Sequence, residues 1–428
     1  MHAILVLNMI LFVLFILCYG YQIVFIPVSW FGRKLKKEKT NENRIGRSYD
    51  YAVLICARNE SNVITDLIES IKMQTYPGEH ISIFVMADNC DDDTFEKAVS
   101  AGAKAYVRNN RKQIGKGYAL DALLKEIKKD YPSGFDGYFV FDADNILAED
   151  FIENMNRTFA EGYDIVTCYR NSKNYGSNWI SAGYALWFIK DSRFLNLPRS
   201  ILNTSCAVSG TGFLFSREVE ESMNGWAYHL LVEDIEFSID QIIKGRKITY
   251  CPEAVIFDEQ PVDFTTSWNQ RMRWARGYLQ ILAHYGKRML KGSFKSFGCL
   301  DMTLNILPAF ILTGLSILSN VILGIRYAFT EGTFLSVLYL LLFALFNVYL
   351  TVFILGLITT ITEWKRIHTS TCKKIGYLFT FPLFMITYVP IAIVSLFKNT
   401  GWRPIEHNYS VNQMTDEEFL DLTKRKNR

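Results

Sequence analysis

Four stretches of this chain, Ala3 to Val28, Met302 to Ile325, Thr333 to Thr362 and Ile375 to Phe397, contain no Asp, Glu, Lys or Arg. Each exceeds the roughly 18 to 20 apolar residues that a helix needs to cross about 30 Å of hydrocarbon. A simple soluble protein is thereby excluded, although the totals look ordinary: 428 residues, 46 Lys and Arg against 43 Asp and Glu, a formal net charge of +3 and 50% hydrophobic residues. Charge this small, spread evenly through the middle of the chain, argues against nucleic-acid binding as the main activity. The eight cysteines are scattered without a Cys-x-x-Cys pair. They signal neither a zinc ribbon nor a disulfide framework and read as reduced, mostly buried thiols.

The first stretch is too long for a secretory signal peptide, lacks a basic n-region and shows no small-residue cleavage site, so it is expected to remain as an anchor. Arg33, Lys34, Lys36, Lys37 and Lys39 follow it, opposed only by Glu38. By the positive-inside rule the region beyond them is expected in the cytoplasm and the N-terminus outside. A solvated basic linker gives the same topology.

Between Tyr49 and about Asp258 the pattern changes to short β-branched and aromatic runs that alternate with amphipathic segments. Tyr51 to Cys56, Ile81 to Ala87, Ala103 to Val107 and Tyr138 to Phe141 read as strands. Asn62 to Met73, Asp92 to Ala101 (closed by Gly102) and Lys116 to Lys129 read as helices. The alternation predicts parallel βαβ units and a doubly wound sheet of the α/β class. In such sheets ligands bind beyond the carboxyl ends of the strands.

Those ends carry the chemistry. The first strand runs into Ala57-Arg58-Asn59-Glu60, the second into Asp88-Asn89-Cys90-Asp91-Asp92-Asp93, and Tyr138 to Phe141 into Asp142-Ala143-Asp144-Asn145. Carboxylates that point into one crevice repel one another and cost desolvation unless a cation or donor groups sit among them. A metal carrying a phosphate-rich ligand is the economical explanation. Asp91, Asp92 and Asp93 serve equally well as caps for the helix near Thr94, and the spacing and missing central Gly disfavour an EF-hand. Asp88, at the strand tip, is the better functional candidate. Asp142 and Asp144 can share a divalent cation, directly or through water, whose open positions take diphosphate oxygens. Gly115-Lys116-Gly117 opens a helix whose amides either approach an anion or simply start the helix. It is not a Walker A loop, which disfavours an ATPase.

Ser209-Gly210-Thr211-Gly212, followed by Phe213-Leu214-Phe215, predicts a tight turn feeding a strand, with backbone close to a ligand. Val232-Glu233-Asp234 introduces the helical run Ile235 to Ile243. An Asp there is a cap or dipole partner or, beside a sugar hydroxyl in a polar crevice, a general base. Within Ser267 to Lys287, Gln270, Arg273, Trp274 and Gly277 fall at i, i+3, i+4 and i+7, one face of a helix. The other Arg, Trp and Leu residues suit a helix at the membrane surface, where an anionic-lipid anchor is the plain reading. A stripe of Gln, Arg and Trp serves diphosphate and sugar-ring contacts instead.

Asp88, Asp142-Ala143-Asp144, Val232-Glu233-Asp234 and Gln270-Arg271-Met272-Arg273-Trp274, in this order and spacing, resemble the motifs of the processive membrane glycosyltransferases of family 2, the cellulose, mixed-linkage β-glucan, chitin and hyaluronan synthases. The resemblance runs from about Tyr49 to Lys287 and takes in the flanking membrane helices. It implies a cytosolic GT-A-like nucleotide-sugar domain, with a mostly parallel sheet, joined to a transmembrane α-helical region. It further implies inverting transfer from a UDP-sugar. Glu60 and Asp88 would hold the uridine, with Lys116 nearby, and Asp142 would face the donor diphosphate. Asp144, with Asp142, would hold Mg2+ or Mn2+. Asp234 would be the general base and Arg273 would meet the leaving group, while Glu233, Gln270 and Trp274 would receive the terminal sugar of the growing chain. The Val-Glu-Asp and Gln-Arg-Met-Arg-Trp forms look more like cellulose-type synthases, which points to UDP-glucose and a β-glucan. A polymer of N-acetylglucosamine type, or a non-processive transfer to a lipid-linked acceptor, is the alternative. The implied partners are the UDP-sugar, the growing polysaccharide, membrane lipid and accessory export proteins, at the plasma membrane and without nucleic acid.

Residues 397 to 407, Phe-Lys-Asn-Thr-Gly-Trp-Arg-Pro-Ile-Glu-His, resemble the Trp-containing gating loop of some members, which implies that Trp402 and Arg403 cover the nucleotide from the cytoplasmic side. Alternation of four spans starting outside leaves this tail outside. Lys398, Arg403, Lys424, Arg425, Lys426 and Arg428 favour the inside, as do Lys365, Arg366, Lys373 and Lys374 in the preceding loop. Pro382 and Pro390 can break the last segment so that it re-enters, and an inside tail is expected. The expected division is a membrane helix over 1–28, a basic cytosolic linker over 29–48, a catalytic domain over 49–260, amphipathic interface helices over 261–299, membrane helices over 300–397 and a tail with the gating segment over 398–428.

Overall fold

A strand covered on both faces needs apolar side chains at every position, and Tyr-Ala-Val-Leu-Ile-Cys-Ala forms such a strand, β1 (Tyr51–Ala57). A computed structural model describes residues 2–39, 48–330 and 334–398 together with positions 401, 405, 407 and 409. In it β1 pairs in parallel with β2 (Ile81–Asp88), and β2 with β3 (Lys104–Arg108). The other edge of β1 pairs in parallel with β4 (Gly137–Asp142). Beyond β4 the sheet, mostly parallel as expected, takes up two antiparallel strands. β5 (Ile146–Leu147) and β7 (Phe213–Ser216) run antiparallel to their neighbours, while β6 (Ile165–Ser172) and β8 (Ile248–Asp258) run with β4. The order is β3-β2-β1-β4-β7-β6-β8-β5, so all but two of the eight strands share one direction. Because β7 is reversed, the turn that precedes it lies at the same end of the sheet as the carboxyl ends of β1, β2 and β4.

Ahead of the sheet the chain forms α1 (His2–Tyr19) and α2 (Gln22–Lys39), separated only by Gly20 and Tyr21. Alternation along the strands then sorts side chains to two cores. Val53, Val85, Phe139 and Phe141 pack under α3 (Ile64–Lys72), α4 (Thr94–Ser100) and α6 (Phe151–Phe159). Leu54, Met86 and Val140 pack under α5 (Lys116–Asp130). The second core continues through α7 (Trp179–Asp191), α8 (Leu197–Ile201), α9 (Arg217–Met223) and α10 (Glu233–Ile243).

The chain leaves the sheet through α11 (Phe264–Ser293), followed by α12 (Phe297–Thr330), α13 (Phe334–Thr362), α14 (Thr371–Ile386) and α15 (Tyr388–Phe397). Three segments of the described residues are long and apolar enough to cross a membrane, Val6–Gly32, Leu345–Thr362 and Thr371–Phe397, and they mark a membrane protein. Of the uncharged stretch inside α12, the shorter apolar run Gly314–Arg326 stands out. The last segment bends at Thr387. Pro390 accounts for the bend, since it has no N–H to offer and its ring collides with the carbonyl of the residue four before it, Ile386. Pro382 stays inside α14. Both ends of the bent element are fastened to the sheet domain and its exit helix: Lys373 donates to the Gly176 carbonyl (2.7 Å), and Arg276 to that of Ser395 (3.4 Å).

A buried ion pair joins the membrane helices to the sheet domain. Arg199 in α8 donates to Asp301 in α12 from Nε (2.6 Å) and Nη2 (3.1 Å), and Tyr21 and Asn305 donate to the same carboxylate. Asp301 has no exposed surface. Removing one member of such a pair strands the other charge, whereas replacing both by apolar groups is often tolerated. Arg199→Met should therefore cost about 3–5 kcal/mol of unfolding free energy in detergent, and the double change Arg199→Met, Asp301→Leu should recover most of it. Equal losses in the two variants would contradict the pairing.

Candidate active site

A cavity of about 770 Å³ opens where the carboxyl ends of β1, β2, β4 and β8 meet the starts of α5, α10 and α11, and it continues between the membrane helices. Asp88, Glu60, Lys116, Asp142, Asp144, Glu233, Asp234, Gln270, Arg273 and Trp274 all line it. Residues drawn from the whole length between β1 and α11 are thus brought together. Trp402 and Arg403 lie outside the described residues.

Each carboxylate at the sheet end has a specific support. Asp88 accepts from Arg108 Nη1 (2.5 Å) and from Asn89 Nδ2 (2.9 Å). Asn89 itself takes a left-handed conformation (φ 54°) that Asn tolerates better than most residues. Glu60 meets Nδ1 of His407, 3.0 Å from both carboxylate oxygens, so the chain beyond α15 returns to this end of the sheet. Burial pushes Glu60 up to about 7. Burial opposes charge on His407 too, but Asp144, Glu60 and Glu259 outweigh it and raise the imidazole to about 10. Of the three following carboxylates Asp92 takes the capping role, accepting from the Thr94 and Ser61 backbone N–H groups (both 3.2 Å), whereas Asp91 pairs with Arg111 (3.0 Å) and Asp93, at the N-cap position without a side-chain cap bond, pairs with Lys97 (3.4 Å).

Asp142 ends β4, and its carboxylate receives the ammonium of Lys116, which also donates to the Gly210 carbonyl (2.8 Å). Burial works against the charge on Lys116, but Asp142 and Glu233 outweigh it and raise its pKa. At Gly115-Lys116-Gly117 the side chain of Lys116, not a bare amide cradle, carries the charge into the cavity. Gly117 is required for packing, because a Cβ there would lie 2.0 Å from the Tyr228 carbonyl oxygen. The predicted turn before β7 is present. Gly210 (φ 82°) sits between two carboxylates, its Cβ position 3.8 Å from Asp234 Oδ2 and 3.9 Å from Asp142 Oδ2. Burial raises the pKa of Glu233, helped by Asp234 and countered by Lys116 and Arg273. Burial likewise raises Asp234, against the N–H groups of the first turn of α10. The pair therefore favours holding a proton, and a ligand that brings a hydroxyl to Asp234 meets a carboxylate more basic than usual.

The helix expected around Gln270 is α11, and its two faces do different work. Gln270, Arg273 and Trp274 face the cavity. Arg273 donates to the Leu231 carbonyl (3.2 Å), Trp274 packs edge-on against Tyr184 and Phe188, and Gln270 Oε1 has no hydrogen-bond partner among the described residues. Arg271 faces away and is fully buried, donating to the Phe384 carbonyl (3.1 Å) and Thr387 Oγ1 (2.7 Å) at the bend between α14 and α15.

Arg170, Asp258 and His407 escaped the sequence reading. Asp258, at the tip of β8, accepts from Arg170 Nε (2.8 Å), Asn145 Nδ2 (3.0 Å) and Gln260 Nε2 (2.8 Å). Asp144 accepts from the Glu259 N–H (3.0 Å) beside it. Burial raises Asp258, Arg170 lowers it, and Asp144 pushes it up again. An Asp that closes the apolar run Ala254 to Phe257 was a visible signal for Asp258. Arg170 had none, since its role depends on the register that sets β6 against β8.

The family model described as Glycosyltransferase like family 2 matches residues 49–277. The chain is similar to the poly-beta-1,6-N-acetyl-D-glucosamine synthase of Staphylococcus epidermidis, 25% identical over 264 residues that make up 60% of this chain and 60% of that protein. It is similar to the beta-monoglucosyldiacylglycerol synthase of Synechocystis sp., 22% identical over 246 residues, 54% of this chain and 48% of that protein. The chain thus spans about half to three fifths of the length of these curated relatives. Among solved structures it is similar to a mannosyltransferase from Pyrobaculum calidifontis in complex with GDP-Man and Mn2+, with a TM-score of 0.54 and 13% identity over 91% of this chain and 99% of that one. That likeness shows the fold, a GT-A-like mixed α/β domain.

If Arg170 is what allows Asp144 and Asp258 to stand side by side, Arg170→Met should cost about 3–5 kcal/mol of stability, the usual penalty for stranding a buried charge. Denaturant unfolding in detergent measures this, and an unchanged midpoint would show that other groups carry the load.

Proposed function

The chain belongs to the glycosyltransferase-like family 2, and on that premise we propose that it transfers sugar with inversion from a UDP-sugar to an acceptor hydroxyl at the membrane, adding residues repeatedly to build a β-linked polysaccharide. The observation that carries this reading is the single cavity in which Lys116, Asp142 and Asp144 lie opposite Asp234, with Gln270, Arg273 and Trp274 along one side and the membrane helices beyond. Glu60 and Asp88 are assigned to the uridine end. Lys116 and Asp142 face the diphosphate, and Arg273 meets the leaving group. Asp234 removes the proton of the attacking hydroxyl, while Glu233, Gln270 and Trp274 orient the acceptor sugar. Displacement at the anomeric carbon on the face opposite the diphosphate turns an α-linked donor into a β-linked product.

The residues present fit a divalent cation. Asp142 and Asp144 are hard oxygen donors in a crevice where carboxylates outnumber cations. Asp144, with Asp142, would thus supply the protein ligands and donor phosphates the rest. Mg2+ or Mn2+ bound there would offset charge on the diphosphate. By the basic segment that follows the first span, the sheet domain is assigned to the cytoplasm and the product to the far side of the plasma membrane. UDP-glucose is the first donor to test and UDP-N-acetylglucosamine the second.

A lipid-linked acceptor is the second reading. Ile306, Val389, Ala392, Ile393 and Leu396 make the membrane end of the cavity aliphatic, which suits an acyl or isoprenoid chain better than a bare polysaccharide.

Membranes given labelled UDP-sugars one at a time should yield an insoluble product that a linkage-specific β-glycosidase degrades. A solvent-extractable glycolipid instead would favour the second reading. Asp234→Asn should reduce transfer by about 10²–10⁴-fold, the range for loss of a general base, with UDP affinity retained. Since Asp234 acts ionised and its pKa is raised, kcat/KM should fall as pH drops, along an acid limb centred above the ordinary Asp value of about 3.9. A limb at the ordinary value would reassign the base.

A further inference from the structure

Between Asp263 and Asp301 the chain contains no Asp or Glu. The cations of that stretch divide into two groups. Arg271 is spent on the bend at Thr387, Arg273 on the cavity, Arg276 on the Ser395 carbonyl and Arg288 on Asp240 of α10 (3.0 Å). Lys287, Lys291 and Lys295 remain. All three are exposed, and among the described residues none of them makes an ion pair.

The spacing of four puts Lys287 and Lys291 on one face of α11, and Lys295 follows in the short link to α12. Interleaved with them are Leu290, Phe294 and Phe297, which are 45%, 93% and 45% exposed. These side chains have no room to turn inward, because the other face of the corner is filled by the fold. Met289 and Cys299 are buried, and a Cβ on Gly292 would lie 2.4 Å from Cys299 Sγ. Ser293 Oγ, on the same side, meets Thr303 Oγ1 (2.9 Å). Phe297 packs edge-on against Tyr21 at the end of the first membrane helix (6.1 Å), and the uncharged run Met302 to Ile325 begins just beyond Asp301. The corner is thereby fixed at the level where the chain passes from the sheet domain to a membrane helix.

Water penalises the three apolar side chains, and a zwitterionic lipid surface would accept them but leave three ammonium groups without countercharge. A leaflet with net negative headgroups satisfies both. The rings enter the boundary between headgroup and acyl chain, the lysine stems run beside them, and the ammonium groups end among the phosphates. We propose that the α11–α12 corner is a docking surface for acidic phospholipid, with Lys287, Lys291 and Lys295 on the headgroups and Leu290, Phe294 and Phe297 in the acyl boundary. None of these residues lines the cavity, so the assignment goes beyond the transferase reading and does not depend on it. The same turns of α11 hold α10, through Tyr285 on Glu236 (3.1 Å) and Arg288 on Asp240, so the lipid-bound corner backs the helix that carries Asp234.

The test places the full-length protein in nanodiscs of phosphatidylcholine and phosphatidylglycerol and adds one indole at the corner, Phe294→Trp, whose fluorescence is read as the difference from wild type. Brominated phosphatidylglycerol should quench that indole about fivefold more effectively than brominated phosphatidylcholine at equal mole fraction. The preference should fade as salt rises from ~0.05 M to ~0.5 M, because exposed charges are screened. Adding Lys287→Gln, Lys291→Gln and Lys295→Gln should abolish the preference while quenching by phosphatidylcholine persists. Lys287→Arg, Lys291→Arg and Lys295→Arg together should keep it, and UDP affinity should be unchanged in every variant. Should the Gln variant fail to assemble, the salt series on Phe294→Trp alone decides the same point. Equal quenching by the two lipids, a preference indifferent to salt or to the Gln changes, or an indole that neither lipid reaches because protein covers it would each overturn the surface. So would loss of the preference on adding soluble glycerophosphoglycerol, which would make the lysines a site for a free phosphodiester.

Discussion

Carboxylates gathered at one end of a sheet must be paid for in desolvation and mutual repulsion, and the arrangement of cations among them organises this molecule. Arg108 supports Asp88, Lys116 supports Asp142, Arg170 supports Asp258 and His407 supports Glu60. These cations come from a strand, a helix start, a second strand and the chain beyond the last helix. Bringing them to one place requires the sheet order, the reversed β7 and the return of the chain past α15. Burial outweighs these cations at Glu60 and Asp258, whose pKa values rise, as it outweighs Lys116 and Arg273 at Glu233 and Asp234.

The same logic couples this end of the sheet to the membrane helices. Arg271 reaches across from α11 to the bend at Thr387 and lies over the Phe384 ring, 4.4 Å from its centroid. Gly183 on α7 leaves room for that ring, since a Cβ there would lie 2.4 Å from it. Glu363, at the end of α13, is buried and meets Tyr169 Oη (3.0 Å) and Arg193 Nε (3.1 Å). Tyr169 is the neighbour of Arg170 on β6. The membrane helices are thus joined to residues that hold the cavity wall through contacts that are costly to break because they are buried and charged.

Much of this was legible in one dimension. Apolar runs without charge set the membrane segments, since a buried charge in hydrocarbon is costly whatever the fold. The 2- and 3.6-residue periods set β1 to β4 and their crossover helices to within a few residues, because local backbone geometry imposes those periods. Strand tips named Asp88, Asp142 and Asp144, and helical spacing put Gln270, Arg273 and Trp274 on one face.

Long-range partners were not legible. Nothing near Arg170 in sequence indicates Asp258, and nothing near Glu60 indicates His407, 347 residues away. The antiparallel entry of β7, the bend at Thr387 and the π-helical turn at Ser192–Asn196 likewise depend on what packs against them. The sequence by itself determined the elements, the membrane segments and the residue types at the strand ends, because those follow from side-chain polarity and backbone period. Only the tertiary structure decided which cation neutralises which carboxylate, and that the cavity runs on from Asp234 to Trp187 and the membrane, because charge pairing and cavity shape are set by contacts between residues far apart along the chain.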